Sequence, residues 1–367
     1  MTPDERNPEL RPADPSYSAT RRALLLGAAA QFLGSASPVS AAGFEWKRYS
    51  GRPDEWFRSE EAARIAENIL SHQSPEGSWP KNQDSSAMKY VGDPRRLSGT
   101  FDNGASLGEI RFLNRSGQAT GSEPQRTAVL RGIDVVLKAQ YPTGGWPQYY
   151  PPPKTSYHRH ITFNDSTSSN LMEFVRDLAN STEFSHLDGD RRRRAADAFA
   201  HGIVCILKCQ IRVKGLATVW CAQHDEITLE PRKGRAYEHA SLSGSESAGV
   251  ARLLMSLQAP SREVVQSVHA AARWFESARL TGIRVERRDG DRIVVADPAA
   301  PPLWARFYEI ETNRPIFSGR DGIIRFQFSE IEKERRTGYA WYGDWGTQLL
   351  KEYDVWKRSH PEVPKDA

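Results

Sequence analysis

The chain repeats one short phrase three times: an amphipathic helical run closing on glutamine, a turn built around glycine and tryptophan, then a polar loop that opens another helix. Gln73, Gln140 and Gln210 close the runs at nearly equal intervals. Ahead of them stand Ala62, Ile65, Ala66, Ile69 and Leu70; Leu130, Ile133, Val136 and Leu137; and Phe199, Ile203, Ile206 and Leu207. Spacings of three and four put each set on one helical face. Gly77-Ser78-Trp79-Pro80 and Gly145-Trp146-Pro147 follow the first two glutamines, and a weaker version, Gly215 to Trp220, follows the third. Such units cannot bury their apolar faces alone, so they must stack side by side. The expected fold is mainly α: a toroid of three α/α hairpins with a small β hairpin and an irregular C-terminal region.

A ring sets equivalent loops at the same end. The loops that open the second helices are Thr100-Phe101-Asp102-Asn103-Gly104, Thr162-Phe163-Asn164-Asp165-Ser166 and Ser241-Leu242-Ser243-Gly244-Ser245-Glu246. Taken singly they read as helix N-caps, where Asp, Asn and Ser accept backbone hydrogen bonds. Taken together, Asp102-Asn103 and Asn164-Asp165 offer two carboxyl–amide pairs at equivalent positions that can converge on one point. Carboxylate and amide oxygens are hard ligands suited to Ca²⁺.

With 367 residues, 38% of them hydrophobic and 26% charged, the chain can bury one large core. Residues 1–42 read differently from the rest. Arg21-Arg22 precedes an apolar run over residues 23–30 and small residues through Ala41 and Ala42, the layout of a secretory signal with a twin-arginine pair. The apolar run is too short to serve as a membrane anchor. Residues 43–367 are then expected to form a single catalytic domain, exported to the periplasm or the cell exterior. The formal charge of +4 favours anionic partners only mildly. The one basic run, at residues 191–194, opens a helix and reads as a solvated face, so nucleic acid is not indicated. Cys205, Cys209 and Cys221 read as buried thiols, with a Cys209–Cys221 disulfide as the alternative, and no zinc-type ligand spacing occurs. Beyond the third repeat, residues 261–280 form another amphipathic pattern, and Ile283-Arg284-Val285-Glu286 and Arg292-Ile293-Val294-Val295 flank an Asp289-Gly290 hairpin turn.

Arginines set among aromatic residues and glycines mark the second half: Arg235 in Gly234-Arg235-Ala236-Tyr237-Glu238, Arg306 in Trp304-Ala305-Arg306-Phe307-Tyr308, Arg314 in Thr312-Asn313-Arg314-Pro315 and Arg320 in Gly319-Arg320-Asp321-Gly322. A guanidinium captures carboxylates in bidentate fashion. Each could instead be a structural ion-pair partner of Glu238, Glu309 or Asp321. Beside an expected Ca²⁺ site they point to a polyanionic sugar, with Trp79, Trp146, Trp304, Trp341 and Tyr342 as aromatic surfaces for its rings, the first two reading more simply as repeat core. His224-Asp225-Glu226 reads as a loop that orients its neighbours.

The stretches Gly77-Ser78-Trp79-Pro80-Lys81-Asn82, Thr100-Phe101-Asp102-Asn103, Gly145-Trp146-Pro147-Gln148-Tyr149, Thr162-Phe163-Asn164-Asp165, Trp220-Cys221-Ala222-Gln223-His224-Asp225, Tyr237-Glu238 and residues 304–321 resemble the pectate lyases of polysaccharide lyase family ten. The resemblance runs from about residue 60 to about 356. It implies Ca²⁺-dependent cleavage of polygalacturonate by anti β-elimination in a monomer. It also implies that Arg235 takes the proton, Asp102 is an acid needed for activity, Asn103 and Asp165 hold Ca²⁺, and Arg306 and Arg320 bind substrate carboxylates. Arg314 and Tyr308 are further candidates for substrate contact. Where the family's second motif continues with another Asp, this chain has Ser166, which removes one candidate ligand. An arginine base requires a guanidinium pushed well below its ordinary pKa by neighbouring cations and burial. Two other classes stay open on the residues alone: a glycoside hydrolase using Asp102 with Glu238 or Glu246, and a pectin-binding scaffold without catalysis.

Overall fold

The computed structural model describes residues 43–362. The expected secretory segment, residues 1–42, lies outside the described residues. Among the described residues the α-helices are α1 Lys47–Ser50, α2 Glu60–Ser71, α3 Leu107–Thr120, α4 Glu123–Ala139, α5 Thr167–Asn180, α6 Gly189–Cys209, α7 Gly244–Met255, α8 Arg262–Ser277, α9 Lys333–Gly338 and α10 Trp345–Trp356. Helices α3/α4, α5/α6 and α7/α8 are the three hairpins of an α/α toroid, bracketed by α2 and α10. Helices α2, α4, α6 and α8 follow one another in one layer, and α3, α5, α7 and α10 in the other. Short connections join the helices of each hairpin. Long connections, at residues 72–106, 140–166, 210–243 and 278–344, pass from one hairpin to the next.

The repeated phrase has a repeated physical cause. Gln73 Nε2 donates to the carbonyl of Gly77 in its own turn (2.8 Å) and to that of Ala128 on α4 (2.9 Å). Gln140 does the same to Gly144 and to Ala198 on α6, both at 2.8 Å. Gln210 does it to Thr218 and to Ser267 on α8 (2.9 and 3.0 Å). One amide therefore ends its helix, shapes the next turn and fastens the neighbouring hairpin. The indole N–H of Trp79, Trp146 and Trp220 caps a carbonyl of the preceding helix, Ile69, Val136 and Ile206 respectively. Trp304 caps Phe275 of α8 in the same way, so the repeat extends one step further than the glutamines reveal. Glycine is required in the turn that carries the plug: Gly144 is left-handed (φ 98°), and a Cβ there would stand 2.2 Å from the His201 carbonyl oxygen.

Ser261 caps α8 as the pattern of residues 261–280 predicts, and Ile283–Arg288 pairs with Asp291–Ala296 across Asp289-Gly290, both left-handed. Arginines 191, 193 and 194 are neutralised by Asp134, Asp188 and Asp190, in keeping with a solvated helix start. The three cysteines are buried and free. No helix among the described residues is long and apolar enough to cross a membrane. The C-terminal connection is less of a surface than its aromatic content predicts: Phe307, Phe317, Phe328 and Trp341 form a second small core with Tyr237.

Replacing Gln140 with leucine strands two backbone carbonyls, and the expected cost is about 1–3 kcal/mol, read as a lower urea midpoint with unchanged m-value. Glu109 on α3 is buried beside Ser85, and burial pushes its carboxyl from 4.5 up to about 7. An acid raised on folding contributes stability that is present below its unfolded value and lost as pH rises through its folded one. Thermal unfolding of Glu109→Gln should therefore lose part of the wild-type decline in stability between roughly pH 4.5 and 7.

Candidate active site

The long connections bring the Asp102–Gly104 and Asn164–Ser166 turns, Arg306 and Arg235 into one cluster. Asp102–Gly104 and Asn164–Ser166 are single 3₁₀ turns that pack against each other, rather than plain N-caps. In each, two successive residues are left-handed: Asn103 (φ 54°) with Gly104, and Asp165 (φ 49°) with Ser166 (φ 62°). The shared backbone turn leaves Asn103 and Asp165 exposed while Asp102 and Asn164 stay buried. Asp102 Oδ2 accepts from Lys81 Nζ and from Gln148 Nε2 (2.6 Å), whereas its buried Oδ1 has no hydrogen-bond partner among the described residues. Asp165 Oδ2 accepts from Asn164 Nδ2 (2.5 Å).

Arg306 enters from the C-terminal connection. Its Nη2 contacts Asp165 Oδ1 (3.2 Å), Asn164 Oδ1 (3.4 Å) and the buried carboxylate of Glu246. Burial alone would lower this guanidinium, but the charges of Glu246, Tyr339 and Asp165 hold it above its ordinary value. The Arg306 guanidinium lies 4.8 Å from the Tyr339 ring centre, and that of Arg235 lies 5.5 Å from the same ring. Tyr339 donates to Glu238 Oε1 (2.8 Å), and Glu238 takes Arg235 Nε (2.9 Å), Arg235 Nη2 (2.5 Å) and the Arg235 backbone N–H (2.9 Å). Asp165, Arg306, Tyr339, Glu238 and Arg235 thus form one continuous chain of contacts drawn from three connections.

Several expectations need correction. Arg235 is not depressed by its neighbours: burial pulls it down, yet the hydrogen bond and charge of Glu238 raise it above its ordinary value. Glu238 answers in kind, since burial pushes its carboxyl up and Arg235 brings it below the usual range. Tyr308 belongs to the core, with its hydroxyl accepting from Ala305 N–H and donating to the Ala278 carbonyl, so it presents nothing to a sugar. Trp304 and Trp341 are likewise buried. Arg314 stacks on Phe326 at 3.8 Å, outside the contact chain just described. Arg320 is exposed and paired with Glu334, whose other partner, Arg335, covers the Tyr237 ring next to Arg235. The Cys209–Cys221 disulfide does not form.

His224 is neutral and structural: burial lowers it to about 4, its Nδ1 meets the Leu229 carbonyl and its Nε2 accepts from Cys221 N–H. His160, Asp225 and Glu226 offer ligand atoms within 4.8 Å of one another. Arg159 and His160 already occupy Glu226, and Arg232 with two backbone N–H groups occupies Asp225, so this knot braces the loop. Lys81, Gln148, Tyr157 and Tyr339 were not singled out from sequence as functional, and Glu246 was weighed only as a hydrolase carboxylate. The Trp-Pro-Lys and Trp-Pro-Gln triplets after the repeated turns were the available signal for the first two.

A family model for pectic acid lyase matches residues 73–350. No curated protein matches. Among solved structures, a family 10 polysaccharide lyase from Cellvibrio cellulosa is 34% identical with a TM-score of 0.73, covering 88% of this chain and 100% of that one. A mutant of the Cellvibrio cellulosa enzyme in complex with trigalacturonic acid is also 34% identical, with a TM-score of 0.73, 87% of this chain covered and 99% of that one. The helical toroid, the paired left-handed loops and the match across most of the sequence lead to one assignment: the chain belongs to the pectic acid lyase family, among the family 10 polysaccharide lyases.

Proposed function

We propose that this pectate lyase is an exported, monomeric, Ca²⁺-dependent enzyme that cleaves α-1,4-polygalacturonate by anti β-elimination, leaving a C4–C5 double bond. The observation that carries the reading is the continuous contact chain from Asp165 through Arg306 and Tyr339 to Glu238 and Arg235. It sets an oxygen-rich pair of loops beside two oriented guanidinium groups, which suits a polymer bearing one carboxylate per sugar. The trigalacturonic acid held by the Cellvibrio enzyme supports the same substrate class.

The loop residues fit Ca²⁺: the donors are carboxylate and amide oxygens, and the buried Oδ1 of Asp102 lacks a partner among the described residues. Asn103 and Asp165 would hold the ion, with Asp102 beside them. When bound it supplies Lewis-acid stabilisation of charge developing on the substrate carboxylate. Arg306, fixed by Glu246, orients a neighbouring carboxylate, so binding becomes alignment. Arg235 removes the C5 proton. Glu238 holds its planar fork in one orientation and at the same time raises the cost of deprotonating it.

Two outcomes test this. Ultraviolet absorbance of the conjugated product should appear with Ca²⁺, vanish with EDTA and return on Ca²⁺ readdition, and Arg235→Ala should lower kcat by at least about 10². A hydrolase would instead release reducing ends without the chromophore. Because the carboxylate of Glu238 holds Arg235 up, the rate should rise into the alkaline range, and Glu238→Gln should move that rise to lower pH.

A further inference from the structure

β-Elimination has a second half that none of the groups assigned so far performs: the departing glycosidic oxygen must gain a proton. The connection between the Trp146 plug and Ile161 supplies a group suitably placed. Residues Tyr157–Arg159 form a 3₁₀ turn, and Gln148, the same residue whose side chain binds Asp102, donates its backbone N–H to the His158 carbonyl (3.0 Å). This pins the turn beside Asp102. On the other side, the Tyr157 ring is close enough to Arg235, Glu238 and Tyr237 to feel their charges, as it does that of Asp102. Tyr157 is therefore within electrostatic reach of both the acid-bearing loop and the base. It is half-buried, and among the described residues its hydroxyl has no hydrogen-bond partner, unlike Tyr339 and Tyr308, whose hydroxyls are committed to Glu238 and to backbone groups.

We propose that Tyr157 is the general acid of the reaction, giving its hydroxyl proton to the departing glycosidic oxygen. The assignment rests on the β-elimination reading. Arg235 takes the C5 proton, and the electron pair of the C5–H bond becomes the C4–C5 double bond. The C4–O bond breaks with its pair on oxygen, and that oxygen receives the Tyr157 proton and becomes the C1 hydroxyl of the other product. The tyrosinate then recovers a proton from water. Two properties favour Tyr157 over its neighbour His158, whose ring lies 4.0 Å away. Burial, and Lys81 after it, keep His158 below its ordinary pKa and its Nδ1 faces Ser156 (2.6 Å), so it carries no spare proton at alkaline pH. Burial pushes Tyr157 up to about 12, so it keeps its proton through the moderately alkaline range.

The test compares Tyr157→Phe and His158→Gln with wild type on polygalacturonate and on a galacturonide whose C4 carries fluoride, a leaving group that needs no proton. For Tyr157→Phe, kcat on polygalacturonate should fall by about 10²–10⁴ with KM within about threefold, while fluoride release stays near wild type. An equal fall on both substrates would make Tyr157 a positioning residue and overturn the proposal. So would no fall on either, or the selective loss appearing in His158→Gln. If wild type yields no unsaturated product from polygalacturonate, the elimination reading itself fails.

Discussion

A single side-chain amide, used three times, is the constraint from which the architecture follows. Helix C-termini leave carbonyls without partners, and a connection entering the next hairpin brings more of them into a half-buried place. Gln73, Gln140 and Gln210 each satisfy one carbonyl in the turn and one on the following outer helix. Because the two bonds come from the same NH₂ group, the turn cannot relax without loosening the packing of its neighbour. Helix spacing, turn shape and the entry point of the tryptophan are thereby tied together. The equivalent loops arrive at one end as a consequence of that regularity.

At that end the electrostatics are closely balanced. Two buried carboxylates, Glu238 and Glu246, face two guanidinium groups, and Tyr339 stands between them as both a ring for the cations and a donor to Glu238. Charges removed from water in this way must be paired, or burial becomes prohibitive. The pairing also orients them. Orientation is useful to an enzyme that must hold a line of sugar carboxylates, but it strengthens Arg235 against losing its proton. Rigid placement and proton affinity therefore pull in opposite directions at the residue assigned to take the C5 hydrogen.

The helical frame was legible in sequence because periodicity reports one face at a time, and each glutamine and tryptophan marks a boundary. The paired loops were legible as positions but not as shapes: read as N-caps, Asp102-Asn103 and Asn164-Asp165 prove to be left-handed turns that turn one residue inward and expose the next. Aromatic residues near arginine were the weak point. Tyr308 and Trp304 look like sugar platforms in sequence, yet their polar atoms are claimed by backbone carbonyls of Ala278 and Phe275, which no local pattern discloses. Tyr339 was missed for the converse reason, since only folding carries it across to Glu238. The pressure on Arg235 was misjudged because Glu238, three residues away, was read as an alternative partner rather than as a fixed one.

The indole anchors bear on how such a molecule can change over time. Trp79, Trp146 and Trp220 tie the start of a long connection, and Trp304 the middle of one, to the helix just left, while the following helix fixes the other end. Between two tethered ends, chain can be inserted or removed at a cost that grows only slowly with length. Of the four segments that hang from the same frame, the last is already about twice as long as the others. Remodelling of the groove can thus proceed by lengthening one loop at a time, leaving the scaffold that supports the others undisturbed.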